Sequence, residues 1–152
     1  MDGMGDNRML GWEPRFETGD ASVDFDHQVL FALMQELHCS DTEDVDRTRL
    51  REIVIDLVRY ANRHFATEES LMANCGYPGI HEHRAAHDHL RSEVSLMATR
   101  ERLDCLELCL FAYDWLVGHI IAVDMPMIEH VRLMRRASPE RNTDRHACST
   151  AR

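Results

Sequence analysis

No lysine occurs in the 152-residue chain, and all 17 basic residues are Arg. That absence excludes the phosphate-gripping lysine of a P-loop, Schiff-base chemistry and lysine general-base catalysis. No CxxC pair occurs either, and the five Cys (Cys39, Cys75, Cys105, Cys109, Cys148) are odd in number. Zinc-ribbon and thioredoxin readings fail on that ground, and reduced thiols in a cytoplasm are expected rather than a disulfide framework. A basic surplus is missing: the formal charge is -10, which disfavours nucleic acid and anionic membrane surfaces as partners. No apolar stretch reads as a membrane span, and the N-terminus has no apolar run of the signal-peptide kind, so no membrane insertion is expected. Period-two runs of Val, Ile and Thr are also absent, and with them any reason to assign a sheet.

What remains is apolar spacing of three and four, in four stripes. The first is Val23, His27, Leu30, Met34, Leu37, and the second is Leu50, Ile53, Leu57, Ala61, His64, Glu68, Leu71. The third is Ile80, His83, His87, Leu90, Val94, Met97, and the fourth is Leu108, Ala112, Trp115, His119, Val123. Each predicts an amphipathic helix. Ser40-Asp-Thr-Glu43 and Asp104-Cys-Leu-Glu107 read as capping boxes before the second and fourth helices, and Gly76 and Pro78 close the second. Four long segments with short connections predict an all-α, up-down-up-down antiparallel four-helix bundle with an N-terminal arm. The domain spans residues 1–135; residues 136–152 carry no large apolar side chain and read as a disordered tail.

Ten His are present, and every stripe carries at least one on its buried side. A lone His there is usually a satisfied core residue. So many imidazoles buried without partners would cost several kcal/mol each, on the order of a small domain's whole stability. Ligand spacing offers the partner. His64 and Glu68 are four apart, as are His83 and His87, so each pair projects from one helical face. His119 and Asp124 are five apart and share a face only if the backbone changes, for which Pro126 supplies a break. Five His and two carboxylates exceed the needs of one ion and include no thiolate, which implies two metals with nitrogen and oxygen ligands bridged by carboxylates. His38, His81, His89, His130 and His146 read as surface residues. Cys105 and Cys109 read as core or solvent-side thiols, and the nine Met as packing.

Four segments then carry a family likeness. They are Val23-Asp-Phe-Asp-His27, the run from His64 to Met72, Tyr77-Pro-Gly-Ile-His-Glu-His-Arg-Ala-Ala-His87, and the run from Trp115 to Asp124. From about Trp12 to about Arg135 the chain resembles a single-domain bacterial hemerythrin. The resemblance implies two iron ions in an oxo- or hydroxo-bridged di-iron centre. His83, His87 and His119 would ligate one iron, His27 and His64 the other, and Glu68 and Asp124 would bridge them. It further implies end-on dioxygen binding at a vacant position on the iron with two His, in a pocket lined by Phe65, Trp115, Leu116 and Ile120. Asp26 stands where the family often has Gln before the first ligand, and Met127 where an aromatic is frequent. The expected function is reversible dioxygen binding for storage or delivery, without enzymatic activity. The rivals are an oxygen or redox sensor acting through a separate signalling partner, and a di-iron enzyme reducing peroxide or nitric oxide. An oxygen-consuming enzyme is the partner a delivery role would call for.

Overall fold

The computed structural model describes residues 10–40, 47–100 and 104–137. A 3-10 turn at Pro14–Phe16 leads into α1 (Ala21–Ser40), followed by α2 (Arg47–Cys75), α3 (Ile80–Ala98) and α4 (Cys105–His119). A π-helical turn, Ile120–Asp124, joins α4 to α5 (Met125–Ala137) without a gap. Helices α1, α2, α3 and α4 pack each against the next, and α4 returns to α1, closing a four-cornered bundle; α5 extends the fourth corner along α2.

The boundaries follow local chemistry. Asp20 opens α1 by accepting the backbone N–H groups of Ser22 (3.1 Å) and Val23 (3.3 Å). Gly76 takes φ +66° just past α2, and the Tyr77 N–H bonds back to the Met72 carbonyl at 3.0 Å, a Schellman closure that satisfies an end carbonyl. Asp104 caps α4 by accepting the Glu107 N–H at 2.9 Å. Only that half of the expected box forms, because the Glu107 carboxylate instead takes Arg100 at 2.6 Å. The box expected at Ser40–Glu43 falls largely outside the described residues, as does the tail beyond residue 137, including His146 and Cys148. The last helix runs two residues past the predicted domain end at Arg135, to Ala137.

Pro126 does not break the fourth helix, contrary to expectation. Proline removes one N–H and crowds the carbonyl four residues back, and the chain answers with a wide π turn immediately before it instead of an end. The fusion also overturns the expectation that nothing here has spanning length. Cys105–Ala137 is one 33-residue helix whose best 18-residue window has mean hydropathy 1.6, long and apolar enough to cross a membrane by length and composition alone. His119 and Asp124 lie within it, buried inside the bundle.

The interior is layered. Leu37, Ile53, Leu108 and Cys109 fill one end. Phe16, Leu30, Phe31, Met34, Leu57, Leu116 and Ile120 form the middle, and Val23, Met72, Met127, Ile128 and Val131 fill the other end. In sequence His27, His64, Glu68 and Asp124 fall between residues of the middle layer and residues of this last one, and His119 lies within the middle layer's stretch of α4, so a polar centre is walled by apolar side chains on both sides.

Candidate metal centre

His27, His64, Glu68, His83, His87, His119 and Asp124 are all buried, each at most 4% exposed. Their ligand atoms form two groups, Glu68 with His83, His87 and His119, and His27 with His64, Glu68 and Asp124, each within 4.8 Å of one another. The Nε2 atoms of His83, His87 and His119 make a triangle with sides of 3.1, 3.1 and 3.2 Å. Both carboxylates straddle the groups. Glu68 turns Oε1 to His64 Nε2 (3.4 Å) and Oε2 to His87 Nε2 (3.2 Å) and His83 Nε2 (3.5 Å). Asp124 turns Oδ2 to His27 Nε2 (3.2 Å) and Oδ1 to His119 (3.1 Å) and His83 (3.2 Å). The π turn achieves this placement: a turn closed by i→i+5 bonding sets residues five apart above one another, so His119 and Asp124 face the same interior.

The carboxylate–imidazole approaches are close without being hydrogen bonds. Both ring nitrogens of His27, His64 Nε2, His83 Nδ1 and all four oxygens of Glu68 and Asp124 are buried with no hydrogen-bond partner. The orphaned Nε2 atoms of His27 and His64 and the four carboxylate oxygens converge where a pair of cations would satisfy them, and the imidazole–carboxylate chemistry, free of thiolate, suits iron.

The electrostatics of the metal-free cluster point the same way. Burial, followed by the nearby Asp124 charge, pushes the Glu68 carboxyl up to about 7. Asp124 is driven well below the carboxylate range: burial opposes this, and the close His119, His27 and His83 outweigh it. His83 rises to about 9 against its own desolvation because Asp124 and Glu68 face it, while burial and the neighbouring His119 and His83 depress His87 to about 2. Adjacent groups whose protonation is pulled this far apart mark the cluster as a functional site.

Two carboxylates that the stripe pattern missed lie behind the cluster. Asp26 accepts the Tyr60 hydroxyl at 2.6 Å and lies 3.4 Å from His64 Nδ1, and its contact with His64 holds its pKa below the ordinary value. Glu69 lies 3.3 Å from His87 Nδ1 and is shared with Arg84 (3.3 Å) and Arg91 (3.7 Å). Their signal was the position next to a ligand candidate, Asp26 before His27 and Glu69 after Glu68, since ligand imidazoles commonly donate their second N–H to a carboxylate.

Aromatic rings enclose the imidazoles. Phe65 stacks on His87 with centroids 3.9 Å apart, Trp115 stacks on His119 at 4.3 Å, and Trp12 of the N-terminal arm lies over His27 at 6.3 Å. Phe65, Trp115 and Leu116 also line a cavity of about 50 Å³ whose walls are wholly apolar. Ile120, the fourth expected pocket residue, is fully buried in the middle layer but does not line that cavity. His81 and His89 are exposed as expected. His130 is not a plain surface residue: half-buried, it packs edge-on against Tyr77 and lies 3.4 Å from the Cys75 carbonyl. Cys105 and Cys109 are buried in the end layer, away from the centre. Met127 is fully buried in the layer below the centre.

Comparison with known proteins follows the same residues. The sequence profile of the hemerythrin HHE cation binding domain matches residues 18–137. A bacteriohemerythrin of Clostridium acetobutylicum is 27% identical over 130 residues, covering 80% of this chain and 100% of its own. A myohemerythrin of Riftia pachyptila is 30% identical over 113 residues, covering 74% and 86% respectively. Hemerythrin subunit 1 of Golfingia vulgaris is 29% identical over 113 residues, covering 74% and 85%.

Proposed function

The chain belongs to the hemerythrin HHE family, and from that premise we propose that it is a non-enzymatic di-iron protein that takes up dioxygen reversibly, for storage or delivery. The observation that carries this reading is the pairing of a buried, orphaned ligand set with an adjoining cavity that has no polar wall. In this reading His83, His87 and His119 hold one iron and His27 and His64 the other, with Glu68 and Asp124 bridging. Bound ferrous iron supplies the electrons that reversible dioxygen uptake needs.

The chain's own residues do the rest. Glu68 and Asp124 each present one oxygen to either group, which offsets the charge of two cations inside a dry interior. Phe65 and Trp115 clamp two of the imidazoles by stacking, fixing the direction of their lone pairs. Leu116 and Ile120 close the middle layer above the centre and keep out water, the proton source that would turn reversible uptake into irreversible oxidation. No titratable side chain lines the cavity, which favours uptake over oxygen activation.

The test is an absorption spectrum of the iron-loaded, reduced protein taken before aeration, after it and after removal of the gas. Storage or delivery requires a new band that appears in air and vanishes on degassing, over repeated cycles. A single irreversible change would overturn the reading in favour of a sensor or an enzyme.

A further inference from the structure

We propose that Asp26 is a positioning residue of the metal centre, accepting the Nδ1–H of His64 and thereby fixing which nitrogen of that ring faces the cluster. The geometry is specific. An ionised carboxylate can only accept, so a hydrogen bond across the 3.4 Å to Nδ1 uses the ring proton there, and a neutral ring then keeps its Nε2 lone pair on the side of Glu68. Asp26 is itself held: the Tyr60 hydroxyl donates to its other oxygen at 2.6 Å, and Arg63 lies 3.8 Å away. Tyr60 and His64 are one turn apart on α2 while Asp26 comes from α1, so the carboxylate ties the two helices together at the centre. It is 8% exposed, which strengthens its bond to the ring relative to the same contact in water.

The two halves of the centre differ in this respect. On the His87 side the corresponding carboxylate, Glu69, is flanked by two guanidinium groups, Arg84 at 3.3 Å and Arg91 at 3.7 Å. On the His64 side the carboxylate has a neutral phenol and one more distant Arg. Asp26 therefore keeps more of its negative charge available to hold the Nδ1–H of the imidazole and so the orientation of the ring. This rests on the proposed function only in taking His64 as a ligand.

The experiment uses the full chain as parent, Asp26→Asn and Asp26→Ala, with two readouts. Ferrous iron affinity is measured by competition with a chelator, and the His64 ring nitrogens are observed by ¹⁵N NMR in the metal-free protein. Asp26→Ala is expected to lose about 10–100-fold in affinity and to turn His64 from one tautomer, protonated at Nδ1, into a mixture. Asp26→Asn, which keeps an acceptor without the charge, should fall between parent and Ala in affinity. Parental affinity and a parental His64 tautomer in Asp26→Ala would overturn the proposal, and a lowered melting temperature alone would leave Asp26 only a clip between helices. If Asp26→Ala does not fold, Asp26→Asn decides: parental affinity overturns the proposal and reduced affinity supports it. A parent that binds two irons without reversible dioxygen uptake would overturn the functional reading and leave this one standing. A parent that takes up no iron would overturn both.

Discussion

At the scale of single residues the most informative side chain is Glu68, fully buried with both oxygens unpartnered and directed to different imidazole groups. Glu68→Ala should reduce bound iron below two per chain and lower the melting temperature of the iron-loaded protein, because five imidazoles then face two cations with one bridging charge fewer. Iron analysis and thermal unfolding read both, with the exposed His81→Ala as the parent-like control. Leu116→Ala tests the dry wall. It should cost about 2–3 kcal/mol, toward the low end for Leu→Ala because the side chain already borders a cavity. Both irons should remain, while the aerated spectrum decays faster to that of the oxidised protein. Equal decay rates in parent and variant would remove Leu116 from that role. The five His and Glu68 were legible in the sequence because each sits on a stripe repeating every three or four positions, whereas Asp124 lies one position off its stripe and was signalled only by its spacing from His119 and by Pro126. Asp26 and Glu69 were not legible in this way, because their partners lie across a helix interface, which periodicity along one helix does not encode.

At the scale of elements, α1 to α4 were legible because amphipathic spacing is local, and so was the Gly76 closure of α2, where φ +66° suits glycine. The link between α4 and α5 was only half legible. Five-residue spacing between His119 and Asp124 signalled that the backbone must change, and Pro126 marked where, but a proline can end, kink or widen a helix. Packing decides among these: Met127, Ile128 and Val131 are buried, and a broken helix would forfeit that layer. A π turn is equivalent to one residue inserted into an α-helix, so the spacing makes a sharp prediction. Deleting Ala122 should convert the turn to regular α-helix, put the Asp four residues after His119, and preserve metal uptake. Inserting one Ala after Ala122 should rotate the Asp by about 100° and reduce bound metal while helical circular dichroism stays near parental. Metal retention by the insertion variant, or its loss by the deletion variant, would show that the wide turn is not what aims Asp124.

At the scale of the whole molecule, the polar layer lies between two of the bundle's three apolar ones, and the fold's pH response without metal follows from how that layer divides its protons. His83 is raised from 6.5 to about 9, so its contribution is fully present below about pH 6.5 and is lost as pH rises through 9. Glu68, raised from 4.5 to about 7, acts in the same direction, contributing below 4.5 and losing that contribution as pH rises through 7. His87, depressed from 6.5 to about 2, opposes them on the acid side: the unfolded chain protonates it below 6.5 and the buried ring does not, so stability falls with pH there. Asp124, held well below 3.8, adds to that acid loss as pH drops through its own range. Between pH 7 and 9 the loss from His83 dominates, Glu68 having given up most of its contribution by pH 7, and the melting temperature of the metal-free protein should decline across that interval. Metal replaces the proton that His83 otherwise needs, so the loaded protein should show no such alkaline decline. Below about pH 6.5, where protons compete for imidazole nitrogen, it should instead release its metal. Thermal unfolding of both forms from pH 5 to 9, with iron measured at each point, decides the matter. A metal-free melting temperature that holds steady or rises from pH 7 to 9 would mean that the buried carboxylates do not share their protons with His83 as the geometry requires.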